Sequence, residues 1–254
     1  MIKRYCLLAF CLLALCACGR AVPPPPAADA DGPWQAYLAD SAARPDAPFR
    51  LGLSLRFGTE GDTRRVTALL WGNGDGRLRM DVMAGVGVLA ASYMETDDHV
   101  LMLDPRARKA YFHRGSLKPR LKMEFPLPFD LGRLAKLLTG HWVGVFGTGH
   151  GESEALPVGR GYRLEGDPGG WLTLDSRGLP IAWREDDAEG WRMDIAYDEG
   201  QPPLPRRVQL AHGKGGKAIL LVRERETVRP FEDEQLRLAL PADVALLPMP
   251  KDNR

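Results

Sequence analysis

Cysteine is missing from almost the whole chain: of 254 residues only Cys6, Cys11, Cys16 and Cys18 carry a thiol. That excludes a disulfide framework, a cysteine metal site and a cysteine nucleophile for everything that follows. A body of roughly 220 residues without disulfides must then be held by an ordinary apolar core, and a hydrophobic content of 44% is enough to build one. Charge of one sign is lacking as well, since 34 Lys/Arg and 33 Asp/Glu are interspersed and leave a net charge of +1. No basic stripe of the kind that tracks a phosphate backbone is present, so nucleic acid is excluded as a partner. No apolar run reaches the roughly 20 residues needed to cross a bilayer as a helix.

Catalytic signatures are equally scarce. There is no Gly-x-Ser-x-Gly elbow and no His-Glu-x-x-His pair, and a non-enzymatic protein is expected. Of the five histidines, only His141 and His150 lie near further candidate ligands, Glu152 and Glu154. Their spacing is loose and falls in a glycine-rich stretch, which reads as polar loop residues rather than a metal set. Gly147–Gly151 and Gly213–Lys217 superficially resemble phosphate-cradling loops, but neither leads through a Ser/Thr into a convincing helix, so both read as turns between strands. Asn73-Gly74-Asp75-Gly76 lacks the later ligands and closing Glu of a calcium loop. Neither a metal nor a dissociable cofactor is expected.

The N-terminus is the most informative segment. Lys3 and Arg4 precede the apolar run Tyr5–Leu15, the composition of a secretory leader. The run ends in Leu15-Cys16-Ala17-Cys18-Gly19, with an aliphatic residue three before Cys18 and a small one directly before it. This pattern resembles a lipobox. Residues 1–17 are then the leader and Cys18 the lipid-attachment residue, carrying a covalent diacylglycerol and an N-acyl group. An ordinary secreted protein cut after Ala17 or Gly19 is the alternative. Residues 18–33 contain Pro23-Pro24-Pro25-Pro26, a composition that favours an extended tether and cannot form a core. Residues 34–254 are expected to form one domain.

Within that domain, Trp34, Tyr37, Leu38 and Ser41 fall at helical spacing behind Pro33. From Arg50 the period becomes two, with Leu51, Leu53, Leu55 and Phe57 alternating with smaller or polar residues. Further strands are expected at Val66–Trp71, Leu78–Val82, Val88–Met94, His99–Leu103 and Lys109–Phe112. Leu131, Leu134, Leu137 and Leu138 then share one helical face between a capping Asp130 and a terminating Gly140. A second run of strands covers Tyr162–Glu165, Trp171–Leu174, Ile181–Arg184, Trp191–Tyr197, Val208–Leu210 and Ala218–Val222, and the stretch Phe231–Pro250 reads as a capping segment. The fold class is mainly β (α+β), an antiparallel meander with a few short helices.

The aromatic residues Trp71, Trp142, Phe146, Trp171, Trp183, Trp191 and Tyr197 stand opposite charged residues. They suit an ordinary core. They equally suit the wall of a cavity, together with Met80, Met83, Met102 and Met193, because flexible thioethers and flat rings adapt to apolar ligands of variable shape. The residues alone leave both readings open.

The order of parts resembles the LolB family, outer-membrane receptors that accept lipoproteins from a periplasmic carrier and share its half-barrel fold. The resemblance spans Arg50–Arg223 and is carried by Leu78-Arg79-Met80-Asp81-Val82-Met83-Ala84-Gly85-Val86-Gly87, by Pro128–Asp130 leading into Leu131–Gly140, and by Gly190–Tyr197 with Leu204–Val208. It implies a curved antiparallel sheet forming an open half-barrel covered by short helices. It also implies an acyl-chain cavity lined by Trp71, Met80, Val82, Met102, Leu134, Leu138, Trp183, Trp191, Met193 and Ile195, and a membrane-insertion loop at Gly85, Val86 and Gly87. In the family a leucine stands where this chain has Val86, which shortens the apolar reach by about one methylene, about 0.8 kcal/mol if buried in lipid. Implied partners are outer-membrane lipids, lipoprotein acyl chains and a periplasmic lipoprotein carrier, for a monomer lipid-anchored in the outer membrane with its domain facing the periplasm. Gly19-Arg20 lacks the aspartate that commonly marks inner-membrane retention, in keeping with that location. The alternative is a non-catalytic envelope scaffold that uses the same fold as a docking surface.

Overall fold

The computed structural model describes residues 31–115, 119–121 and 127–250. The leader, Cys18 and the tether up to residue 30 lie outside the described residues. Pro33–Arg254 forms one compact unit, and every buried residue of the described chain belongs to it.

The architecture is a single curved, unclosed sheet of 14 strands in the order β14-β6-β5-β4-β3-β2-β1-β13-β12-β11-β10-β9-β8-β7. All neighbours are antiparallel except β14 and β6. Strands β1 (Phe49–Thr59) and β2 (Asp62–Gly72) form the longest hairpin. Then come β3 (Leu78–Ala84), β4 (Val88–Glu95), β5 (His99–Asp104) and β6 (Lys109–Arg114). The second half runs through β7 (His150–Leu156), β8 (Gly159–Leu164), β9 (Trp171–Leu174), β10 (Pro180–Arg184), β11 (Trp191–Tyr197) and β12 (Pro205–His212). It returns along β13 (Lys217–Thr227), which pairs with β1 and joins the halves.

Register explains the core. Because side chains alternate between faces, residues directly opposite one another on neighbouring strands share a face. One inner row runs Leu51, Leu70, Met80, Tyr93, Met102, Tyr111 across β1 to β6. Another runs Phe57, Ala218, Leu210, Met193, Trp183, Leu172, Tyr162 from β1 to β8.

An open sheet leaves such rows uncovered, and two helices cover them. Helix α1 (Gly32–Ala42) buries Trp34, Tyr37 and Ser41. Helix α2 (Leu131–Thr139) buries Leu131, Leu134, Ala135, Leu137 and Leu138 on one face. Asp130 caps it, accepting from the Arg133 amide at 2.7 Å, and Gly140 ends it at φ +87°, a conformation that suits glycine. Helices and inner rows merge into one hydrophobic cluster. The short helix α3 (Val143–Phe146) follows, and α1 is tied to this region by Trp142 Nε1 to Asp40 at 2.9 Å, the Val143 amide to Ser41 Oγ at 3.1 Å, and Tyr37 Oη to the Gly147 carbonyl at 2.8 Å. Gly178, in the β9–β10 turn, approaches α1 so closely that a Cβ there would lie 2.5 Å from the Tyr37 nitrogen.

The outer face has a cover of its own. The C-terminal stretch, with helix α4 (Asp233–Leu236) and strand β14 (Ala245–Pro248), packs over β2 to β6. Leu238 joins Leu101, Leu103 and Ala110 in a second cluster. Asn73 and Phe231 exchange two hydrogen bonds at 2.7 and 3.0 Å, and Trp71 Nε1 donates to the Gln235 carbonyl at 3.2 Å. The capping role expected for Phe231–Pro250 is thus given a face, while the parallel strand β14 was not expected. Strand β7 was read as part of a glycine-rich loop. Its side chains are exposed along most of its length, so no apolar alternation marks it.

The four leucines of α2 stabilise the domain by about 1.5–3 kcal/mol each. Leu138→Ala, at a fully buried position, is expected to lower the unfolding free energy by about 2–5 kcal/mol in urea denaturation with an unchanged m-value.

Candidate functional site

The residues expected to line an acyl-chain cavity come together, but around packed interior. Met80, Val82, Leu134, Leu138, Trp183, Trp191, Met193 and Ile195 are all at or below 6% exposure and belong to the main cluster, with Met102 packed against it. Trp71 is a correction. It pairs with Arg50 and Arg79, one step out of phase with Leu70, so it faces the outer side, with the Arg79 guanidinium 5.3 Å from its ring centre. Trp171 likewise lies on the outer face under Arg184 at 5.4 Å. Period two assigns a residue to one of two faces, and in a strand apolar on both faces it does not say which is concave.

Open space lies elsewhere. A cleft of about 950 Å³ opens where α1, the segment Arg44–Pro48, α2 and the ends of β1 and β13 meet. That volume is at the upper end of the range for small-molecule pockets, about 300–1,000 Å³. Leu38, Phe49, Leu51, Leu78, Val143 and Leu204 supply apolar wall, and Arg44, Asp46, Asp97, Arg133, Lys136 and Arg225 a mixed-charge rim. Arg44 is clamped by Asp40 at 2.8 Å. Arg225 donates to the Leu138 carbonyl at 2.8 Å, fixing the end of α2. Burial lowers the Arg225 pKa, and the Asp198 carboxylate 3.9 Å away opposes that shift. Beside the rim, hydrogen bonds from His99 and Thr96 hold Asp98 down at about 2. None of the ten expected cavity residues lines this cleft. Its wall comes mainly from loops and element ends, which carry no periodic signal in sequence.

The segment Gly85–Gly87, expected as an insertion loop, forms a tight turn. Gly85 and Gly87 adopt φ +58° and +76° at the tip of the β3–β4 hairpin, and nothing lies within 4 Å of the place where either would carry a Cβ. Between them Val86 is fully exposed at 101%, and Val88 and Leu89 follow at 66% and 39%. Three apolar side chains therefore project from one tip into open space, an arrangement that marks a contact surface for lipid or protein.

The histidine group does not assemble. His141 Nε2 lies 3.4 Å from Asp46 Oδ1, whereas His150 packs edge-on against Trp34 and Tyr162 at ring distances of 4.5 and 4.9 Å. No set of three or more His, Cys, Asp or Glu that could hold a metal ion occurs among the described residues.

No protein-family model and no curated protein matches the sequence. Solved structures do. A protein domain from Vibrio parahaemolyticus, described as concerned with outer-membrane lipoprotein sorting, superposes with a TM-score of 0.58 at 10% identity, over 82% of this chain and 97% of that one. A LolA-superfamily protein from Nitrosomonas europaea gives 0.58 at 12% identity over 80% and 96%. This chain shares the fold of both proteins. A DUF1329-family protein from Desulfovibrio piger shares it too, at 0.59 and 8% identity over 82% and 97%. At such identities the likeness is one of fold.

Burial also raises the pKa of three tyrosines, Tyr93 to about 12 and Tyr37 and Tyr197 further still. Tyr37 ties α1 to the Gly147 carbonyl, and Tyr197 packs edge-on against Trp142 and donates to the Pro180 carbonyl at 2.5 Å. Because the folded pKa values lie above the unfolded value near 10, their stabilisation is complete below about pH 10 and is lost as pH rises through the folded values. Ultraviolet titration is expected to show these three phenols ionising only together with the loss of near-ultraviolet circular dichroism.

Proposed function

We propose that this chain is an outer-membrane lipoprotein, anchored through acylated Cys18, that receives the acyl chains of other lipoproteins and passes them to the bilayer. The observation that carries this reading is the β3–β4 tip, where a fully exposed Val86 stands between two glycines on the rim of a LolA-type half-barrel. The reading needs no covalent chemistry, since apolar chains move between apolar environments down a gradient of burial.

The cleft beside α2 is the place where an acyl chain first lodges, against Phe49, Leu51 and Val143. Passage deeper along the concave face requires α2 to lift. Four buried leucines hold it there with about 6–12 kcal/mol, comparable with the entire net stability of a domain. Thermal opening is therefore rare. Each methylene of a lodged chain returns about 0.8 kcal/mol, so about ten of them offset the lost contacts of the helix. An acyl chain is a ligand of the right class to exchange with α2.

The filled interior favours a second reading, a docking scaffold of the envelope on the same fold. Cellular fractionation separates the two. Replacing the cell's own copy with Val86→Glu is expected to strand other lipoproteins at the inner membrane or on their carrier, with the variant itself folded and at normal abundance. Correct lipoprotein localisation in that strain would defeat the receptor reading and leave the scaffold.

A further inference from the structure

The rim around Val86 also carries charge, and this inference rests on the hairpin reading above while naming the surface that the hairpin meets. Hairpins β1–β2, β3–β4 and β5–β6 turn at the same end of the sheet and are neighbours in it. Adjacent turns are thus two strand spacings, about 10 Å, apart, close to one Debye length at physiological salt.

On one side of Val86 the β5–β6 turn presents Arg106, Arg108 and Lys109, all exposed, against one half-buried carboxylate, Asp104, which accepts from the Ala107 amide at 2.9 Å and stands opposite Lys109. Asp243 lies 3.5 Å from Arg108, but both are more than half exposed, so that pair offsets little of the charge. The Ala245 amide binds the Arg108 carbonyl at 3.1 Å, and β14 leaves Leu246 59% exposed beside the turn. On the other side the β1–β2 turn is mixed, with exposed Glu60, Asp62, Arg64 and Arg65, and beyond it Lys214 and Lys217 are exposed in the β12–β13 turn, with Lys217 3.9 Å from Glu60. The next turn round reverses sign. Between β10 and β11 stand Glu185, Asp186, Asp187 and Glu189, joined to the β12–β13 turn by the Gly213 amide at 3.0 Å from the Glu189 carbonyl. The rim is therefore basic on the β5–β6 flank of its apolar tip, mixed on the β1–β2 flank, basic again at Lys214 and acidic farther away.

We infer that this rim docks on a bilayer rich in anionic phospholipid, with Val86 in the acyl region and Arg106 and Lys109 against headgroup phosphates. Val86 alone reaches too short a distance to fix an orientation. Cations at the headgroup level add attraction that acts before the tip arrives, about fivefold in binding for each. The acidic β10–β11 turn is repelled by the same surface, so the domain settles tilted, with the β3–β6 side down.

The compact unit Pro33–Arg254, which holds the whole described core, is mixed with vesicles of pure phosphatidylcholine and of equal parts phosphatidylcholine and phosphatidylglycerol, and binding is read by flotation. Binding is expected to be stronger to the mixed vesicles and to lose that advantage in molar salt, where the Debye length falls to about 3 Å. The double substitution Arg106→Gln, Lys109→Gln, at exposed positions, is expected to weaken binding to the mixed vesicles by about fivefold per cation and to leave phosphatidylcholine binding unchanged. Equal binding to both compositions, or no effect of the double substitution, would overturn the anionic-surface inference while leaving the hairpin reading intact. Loss of binding to both compositions in Val86→Glu, with thermal unfolding unchanged, is expected if the tip inserts. Retention of binding by Val86→Glu would remove the hairpin from both accounts.

Discussion

An open half-barrel cannot close its own hydrogen-bonded circle, so its concave apolar face has to be covered by something else. In this chain α1 and α2 are the cover, and most of the architecture follows from seating α2. Asp130 and Gly140 set its two ends, Arg225 reaches across from β13 to hold its last carbonyl, and α1 braces the region behind it through Trp142, Ser41 and Tyr37. The leucines of α2 occupy the space that a ligand would otherwise fill. In the proposed mechanism the same surface is core while α2 is seated and wall once an acyl chain displaces it, which joins the two readings of the aromatic and methionine residues.

The convex face poses the mirror problem. Strands β5 and β6 carry Leu101, Leu103, Ala110 and Phe112 on the outer side, and the stretch Phe231–Pro248 covers them, with Trp71 of β2 pinned under Gln235. Among the described residues the exposed large apolar side chains are then confined to two turns with their flanking strand ends and to edge strand β14. The exposure is most complete at the β3–β4 tip, because glycines on both sides of Val86 leave the side chain without neighbours.

Much of this was legible in the sequence. Period-two alternation located nearly every strand of the two meanders, since inner and outer residues differ in polarity there. The α2 helix announced itself by four leucines, a cap and a stop. Other features had no local signal. Strand β7 exposes its side chains and pairs at the edge, so its pattern is that of a loop. The parallel β14 depends on the far-off β6, and the outward face of Trp71 depends on the C-terminal cover. The cleft is assembled from loops and element ends, where residue type says little about neighbours. The β3–β4 tip was expected only through the resemblance to the LolB family, since two glycines by themselves mark a turn without saying what it meets.

The central claim is that Val86 enters lipid when the protein is at work. The scarcity of cysteine makes a direct measurement practical. A single cysteine placed at residue 86 or, as a control, at Val158, an exposed apolar residue of another turn at 70% exposure, can carry a spin label in the chain reconstituted into vesicles. The account predicts that the label at 86 is shielded from a water-soluble relaxation agent and reached by oxygen dissolved in the bilayer, while the label at 158 shows the reverse. Equal exposure of both labels to the aqueous agent would contradict it.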